Sequence, residues 1–594
     1  MRGAGRGPGG RQGQGREGQG PGGRQGRGRQ GQGPGGRQGR RRCGSAALGS
    51  GGWVLAGAAP GQGRAQGRAS AGAGAVAGSE VPGLVVCGGG WAGFGAAWGA
   101  AQSGFRVTLL DAAARPGGLA GAGGRRPGFE LGIKGCWRHY SNVRNVIQQL
   151  GLEMDDMYGP YAETAFVSAR GTEVVSPVLG DLPRLPAPLG TFVHTNDRFR
   201  MLSVVDRLSA LPLTKALLEF DLSEASYARY DAMSFAELCT SAGVSPQLRR
   251  RFVDPLLVAL MFAPPEELSA AAALSVLNSY ALAHQPDFDV RWPRQPPSLL
   301  FDRWRSRLED KGARIRADAP VAEILATGVS GGTVSGVRLA SGEVIPASAV
   351  VLAVGPSALP KVVAASPALQ GCPQLAATSG LSTVDVCAVR LWPASAPPRP
   401  LPCPSNVFCG VPGAPRDMGG TMYDLGALMG QKCRPEGNAL AVEGDVAGAF
   451  EVDVYNAGSL SGCSEEELVS FAKRALALTG RAWLDVGVER AAVLRGKALR
   501  FAPGSHAATP PTEPAGAPRG LFVAGDCVKQ GPAEFMSHRG ARGLSQEKAL
   551  VTGLQAAAAA AKLQGLPPRP AQQAEGDEPH IAAAKRTAQL FVRS

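Results

Sequence analysis

Gly88, Gly90 and Gly93 follow four apolar residues, Leu84-Val85-Val86-Cys87, and this short stretch constrains the fold more than any other part of the chain. An apolar run of that length suits a buried parallel strand entering a tight turn. In the G-x-G-x-x-G pattern each glycine has its own duty. Gly88 permits the sharp turn, Gly90 lets the backbone approach a pyrophosphate, and Gly93 lets the following helix pack closely on the strand. That helix continues through Ala96, Ala97, Ala100 and Ala101, and its free N–H groups and positive dipole end face the phosphates. A second strand over 107–110 ends at Asp111, 23 residues after Gly88, near the offset of about 20 at which an acid bonds a ribose hydroxyl. Asp111 is the ribose candidate.

A glycine fingerprint alone is weak in a chain with 84 glycines. Here strand, helix, second strand and acid stand in order, and Arg115-Pro116-Gly117-Gly118 follows. The acid, spacer and double glycine resemble the glutathione-reductase-like FAD proteins, in particular the amine oxidase and carotenoid desaturase branch. That family has Arg or Lys directly after the double glycine; this chain has Leu119, with Arg125 and Arg126 as candidate substitutes for the phosphate contact. Gly128-Phe129-Glu130-Leu131-Gly132, Tyr140-Ser141-Asn142 and Leu150-Gly151 look like the next stretch of plant-type phytoene and zeta-carotene desaturases, except that Lys134 falls where those enzymes tend to have His. The segment 261–269 resembles the family's helical substrate region. Residues 304–308, 319–324, 334–339 and 349–353 resemble its helix, strand, hairpin and returning strand, which implies that the backbone at Val321 meets the adenine.

Near the other end, 521–524 reads as a buried strand stopping at Gly525-Asp526. The resemblance implies a hydrogen bond from the ribityl or phosphate part of FAD to Asp526. Residues 544–553 look like the helix that begins under the flavin, with Gln546 as backbone donor to the pyrimidine end of the ring. A helix dipole placed there stabilises the negative charge of reduced flavin. The loop 531–543, with His538, Arg539 and Arg542, reads either as a substrate entrance or as a solvated basic loop. Phe501-Ala502-Pro503-Gly504-Ser505 together with 545–549 resembles a poorly characterised plastid and cyanobacterial branch of these flavoproteins.

The fold class implied is α/β: a glutathione-reductase-like, doubly wound FAD-binding domain, discontinuous over 81–160, 300–365 and 500–562. An inserted α+β substrate domain takes 161–299 and 366–499. Proline-rich runs at 293–297 and 393–404 support those boundaries. Residues 563–594 are polar and Ala-rich and read as a frayed C-terminal tail.

The formal charge of +14 first suggests nucleic acid. Thirteen arginines and only Glu17 and Glu80 lie in residues 1–80, so +11 belongs to that leader and +3 to the other 514 residues. No nucleic acid is therefore expected for the folded part. Within the leader a glycine- and arginine-rich unit recurs from Gly5, Gly18 and Gly31. It has too little apolar surface to offset ordering entropy, so disorder is expected. An organelle transit peptide, an RNA-binding arginine-glycine tail and an upstream stretch foreign to the mature protein all fit its composition. Eleven cysteines without C-x-x-C suit a reducing compartment, and no metal-ligating spacing stands out.

No run approaches the roughly 18 apolar residues of a membrane span. Arg249-Arg250-Arg251 and the apolar run 252–262 read either as a peripheral membrane contact or, preferably, as a buried helix beside the substrate cavity. An FAD-dependent oxidoreductase is implied, taking hydride from a small lipophilic substrate, with oxygen or quinone as electron acceptor and a plastid location. Carotenoid or isoprenoid desaturation or isomerisation is the leading reading. The alternatives are amine oxidation and RNA binding through the leader. His139, Tyr140 and Tyr423 are near-site candidates that read equally as packed aromatics or a surface imidazole, and no catalytic side chain is assigned.

Overall fold

The computed structural model describes residues 81–120, 129–221, 223–282, 284–328, 331–397, 399–429, 448–529, 543–573 and 575–593. The leader, Arg125, Arg126, and the loop bearing His538, Arg539 and Arg542 lie outside the described residues.

Five parallel strands form a sheet in the order Leu521–Val523, Ala349–Leu352, Gly83–Cys87, Arg106–Leu110, Arg314–Arg316. The inner strands are short and apolar because both faces are covered, the habit of parallel sheets, while the edge strand Arg314-Ile315-Arg316 is polar and partly exposed. One face carries Leu84, Val86 and Val351 against the helices Trp91–Ser103, Pro297–Asp310 and Gln546–Leu563. The other carries Val85, Val350 and Val523 against helix Leu359–Ala365 and the antiparallel strands Val321–Thr327, Thr333–Leu339 and Val344–Pro346. This is the α/β class expected.

Helix Gln546–Leu563 lies directly on helix Trp91–Ser103 through small residues. A Cβ on Gly553 would stand 2.1 Å from the Ala92 carbonyl oxygen, and one on Gly95 would stand 2.7 Å from the Leu550 side chain. Gly553→Leu must therefore separate the two helices. We expect it to destabilise the protein by about 3 kcal/mol, read as a lowered midpoint in urea; an unchanged midpoint would refute this packing.

A seven-stranded sheet builds the second half, in the order Val488–Arg500, Ser382–Pro393, Phe450–Tyr455, Gly419–Asp424, Ser405–Cys409, Thr164–Ser168, Gly171–Ser176. Its pairs are antiparallel except Ser405–Cys409 with Thr164–Ser168. One face packs Val389, Met422, Val452 and Val454 on helix Glu465–Leu476. The opposite face turns toward the candidate site. Short helices between 189 and 281 enclose a separate core around Phe220, Phe235, Leu257 and Leu274.

One expectation needs adjustment. The segment after 563 is not simply frayed: helix Pro579–Arg593 buries Ile581 in the helical core, and Lys585 Nζ donates to Asn278 Oδ1 at 2.9 Å. The ion pair of Lys585 with Asp577 and the hydrogen bonds of His580 with the Ala187 carbonyl and of Gln589 with the Glu219 carbonyl add to its docking. In the apolar run after Arg251, Leu256, Leu257, Val258 and Met261 are buried, in keeping with the preferred reading of a buried helix. No described helix is long and apolar enough to cross a membrane.

Candidate active site

The glycine turn has the shape its sequence implies. Gly88 sits at φ +104°, donates to the Leu110 carbonyl at 2.7 Å, and has no room for a Cβ, which would lie 2.4 Å from the Ala353 oxygen. Gly93 is tighter, with a Cβ position 1.7 Å from the Gly88 oxygen. Gly90 differs: a Cβ there would meet only the Gly118 Cα, at 3.7 Å. Gly118, at φ +57°, closes the far side of this opening, and the Gly117 carbonyl accepts from Ala120 to hold the turn. Helix Trp91–Ser103 starts at Gly90 with no side-chain cap, so the positive end of its dipole is presented to the opening.

Asp111 flanks this cradle. Its Oδ2 accepts from Gly89 N at 2.5 Å and its Oδ1 from Ala113 N at 2.7 Å. Burial raises its pKa, and the two amides oppose that rise. The Asp111 carbonyl accepts from Ala319 N at 2.8 Å, which brings half-buried Val321, the first residue of its strand, to the same end of the sheet.

A small cavity beyond the double glycine joins Trp91, Ala120, Glu130, Lys134, Tyr158 and Gln546. Lys134 Nζ donates to the carbonyls of Leu119 (2.9 Å), Leu131 (3.1 Å) and Gly132 (2.8 Å) and to Glu130 Oε2 (3.0 Å). Lys134 thus ties the glycine turn to the 129–132 segment, a structural duty its sequence position did not reveal. Gln546 opens its helix and donates from Nε2 to the Gly135 carbonyl at 3.0 Å, while the Ser545 hydroxyl caps Lys548 N. Glu547, fully buried, accepts from Asn142 N and Val143 N, both at 2.9 Å, at the start of helix Ser141–Gln149. Gly525, at φ +135°, donates to Thr552 Oγ1 at 2.9 Å. The neighbouring Asp526 carbonyl accepts from buried Lys548 Nζ at 2.5 Å. Burial raises the Asp526 carboxyl pKa, and the Lys548 charge opposes it.

Sequence reasoning missed the polar group on the sheet face above this cavity. Arg390 and Glu451 are both buried, with Glu451 Oε2 accepting from Arg390 Nε at 2.7 Å and lying 2.6 Å from Nη2. Asp453 Oδ2 accepts from Ile133 N at 3.0 Å. Burial, then the neighbouring Glu451, hold the Asp453 pKa well above the carboxylate range. Glu451 Oε1 and Asp453 Oδ1 face no donor, yet the two carboxyls interact with each other. Tyr423 is buried on the adjacent strand with its hydroxyl 3.4 Å from the Ile133 carbonyl, and Tyr455 stacks on Phe262 at 4.3 Å. Tyr140 packs on Trp137, and His139 Nδ1 bonds the Asp287 carbonyl, so both serve the packing of this wall.

The same sheet face borders an apolar cavity walled by Trp137, Phe166, Leu256, Leu260, Trp292 and Val407, with the Thr421 hydroxyl at one end. Phe166 and Val407 also wall an outer cleft of about 830 Å³.

Across the cradle, an unobstructed space over Gly90, an uncapped helix start and an acid beside the turn are the features a dinucleotide's pyrophosphate and ribose require. The family model for flavin containing amine oxidoreductases matches residues 91–560. The chloroplastic/chromoplastic zeta-carotene desaturase of Arabidopsis thaliana is 24% identical over 253 residues, covering 41% of this chain and 44% of that protein. A probable zeta-carotene desaturase of Synechococcus elongatus is 25% identical over 273 residues, or 44% of this chain and 55% of the relative. The chain therefore spans about half the length of these curated relatives. Cyclohexylamine oxidase from Brevibacterium oxydans IH-35A shares the fold, with a TM-score of 0.57 at 16% identity over 82% of this chain and 100% of that one. With its cradle, sheet order and family match in agreement, the chain belongs to the flavin-containing amine oxidoreductase family and is an FAD-dependent oxidoreductase.

Proposed function

We propose that this oxidoreductase takes hydride from a polyene or another isoprenoid, as a desaturase or isomerase, and works in a plastid. The observation that carries the reading is the apolar lining, Trp137, Phe166, Leu256, Leu260, Trp292 and Val407, of a cavity of about 70 Å³ that shares Phe166 and Val407 with the outer cleft of about 830 Å³. Flat aromatic and branched aliphatic walls recognise a hydrocarbon by area and shape. The relatives named zeta-carotene desaturases support the same substrate class. The arginine-rich, acid-poor leader and the chloroplastic relative support the location.

FAD would be held by Gly88, Gly90, Gly93, Gly117 and Gly118 at the pyrophosphate and by Asp111 at a ribose. Val321 would meet the adenine, Gly525 and Asp526 the ribityl chain, and Gln546 the ring. Bound there, it supplies the hydride acceptor. The protein's share is positional. Asp453 fixes the Ile133 amide, Lys134 fixes the turn after Gly118, and the aromatic walls exclude water while seating the hydrocarbon. Oxygen or a quinone then reoxidises the cofactor.

Amine oxidation is the second reading, supported by Tyr423 and Tyr455 on neighbouring strands and by the cyclohexylamine oxidase fold. The two separate under anaerobic mixing. Isoprenoid extracts are expected to bleach the flavin band within turnover times, with primary amines leaving it unchanged. Bleaching by amines alone would overturn the isoprenoid reading.

A further inference from the structure

The apolar cavity beside the seven-stranded sheet has two polar groups in its wall that nothing among the described residues satisfies. Trp292 and Ser405 both line it, 6% and 1% exposed, and neither the Trp292 indole N–H nor the Ser405 hydroxyl has a hydrogen-bond partner. Buried polar groups are nearly always paired, because an unpaired one has lost the hydrogen bonds it made in water and gained none. The indoles of Trp91, Trp304 and Trp483 are also unpartnered. Only at this cavity, among those described, does such an indole share the wall with such a hydroxyl.

Both groups neighbour Tyr423. Trp292 lies on strand Val290–Pro293 and packs edge to face on the Tyr423 ring, with centroids 5.1 Å apart and 64° between the planes. Ser405 begins strand Ser405–Cys409 and is the direct cross-strand partner of Tyr423, which puts the two side chains on the same face of the sheet. The Thr421 hydroxyl on this wall is already bonded to the phenols of Tyr423 and Tyr455. Trp292 and Ser405 are therefore held in place by packing and register while their polar atoms stay uncommitted.

The chemistry of the two groups specifies what completes them. An indole N–H only donates, and a hydroxyl donates or accepts, so the missing partner is an acceptor. No lysine, arginine or histidine lines the cavity to neutralise an anion. Its one carboxylate, Asp289, is taken by Arg138 at 3.0 Å and by the amides of Leu179 and Gly180 at 2.7 and 2.9 Å, so none is left for an ammonium group. A neutral oxygen is what remains. We infer that the substrate is an oxygen-bearing isoprenoid, its carbonyl or hydroxyl oxygen received by Trp292 and Ser405 and its hydrocarbon laid along the apolar walls. This rests on the isoprenoid reading above and narrows it. A pure hydrocarbon would leave both groups unpaired, the situation in which a site rejects an analogue most strongly.

The test is equilibrium binding of the full, flavin-loaded chain to geranial, geraniol and myrcene, an aldehyde, an alcohol and a hydrocarbon on one skeleton. The wild type is expected to bind the two oxygenated compounds at least about tenfold more tightly than myrcene. Trp292→Phe combined with Ser405→Ala should erase that preference by weakening geranial and geraniol, with myrcene affinity kept. Ser405→Ala alone, the milder change, should weaken geranial but not myrcene, and should melt no lower than the wild type, because its hydroxyl serves no protein partner. A wild type that binds myrcene as tightly as geranial, a folded double variant that keeps the preference, or a Ser405→Ala protein that melts lower overturns the inference and leaves the isoprenoid reading standing. A chain that binds cyclohexylamine and none of the three overturns both.

Discussion

Gly90→Val protein is expected to purify folded and colourless. Gly90 has extended backbone angles, φ −89° and ψ −169°, which valine adopts readily. Its Cβ would meet only the Gly118 Cα at 3.7 Å, so the apoprotein absorbs the change. The two γ-methyl groups instead fill the opening over the helix start, where the pyrophosphate must approach. Flavin affinity should fall about 100-fold or more, roughly 2.7 kcal/mol, with the thermal transition of the apoprotein unchanged. Gly93→Val behaves oppositely: its Cβ would lie 1.7 Å from the Gly88 oxygen, and the variant should fail to fold whether or not FAD is supplied. Flavin content and thermal melts of the two proteins distinguish cofactor contact from strand packing. A yellow, stoichiometrically loaded Gly90→Val protein would show that the cofactor does not use this turn.

The second large effect lies at Arg390. Arg390→Met leaves the buried Glu451 carboxylate without its cation, and removing one partner of a buried ion pair typically costs about 3–5 kcal/mol. Arg390→Met combined with Glu451→Leu removes the stranded charge as well and should recover most of that loss. Asp453→Asn tests the raised Asp453 carboxyl. Because the folded pKa of Asp453 is raised, the stability tied to its proton is fully present below the ordinary carboxylate range and is lost as pH rises through the folded value. The wild type should therefore weaken toward alkaline pH, while Asp453→Asn stays flatter and overtakes it by about 1.4 kcal/mol for each unit of the upward shift. Urea titrations across the pH range measure this directly. A variant that declines in parallel with the wild type would place the proton elsewhere.

Much of the flavoprotein half was legible because its short strands are apolar on both faces and end at glycines with no steric alternative. Leu84 to Cys87, Gly88 and Gly93 each have one physical reading. The polar group around Asp453 was hidden by its own pattern. Phe450-Glu451-Val452-Asp453-Val454-Tyr455 alternates apolar and polar residues as a half-exposed strand does, yet every one of the six is buried, because the other half of the molecule covers the second face. Arg390 suffers the same concealment. Lys134 was visible only as a departure from its relatives. Its bonds to three carbonyls depend on turns that no local spacing encodes.

The glycine-lined contact between helices Trp91–Ser103 and Gln546–Leu563 has a consequence for biosynthesis. The glycine turn at 88–93 and the segment that bears Asp526, Gln546 and Lys548 are separated by more than four hundred positions of chain, so the second is made long after the first. A nascent polypeptide lacking them has half a binding site and an uncovered glycine face. The cradle can then be completed only after the later segment is made, and any arrest before helix Gln546–Leu563 leaves a product that the cell's proteases meet as unfinished.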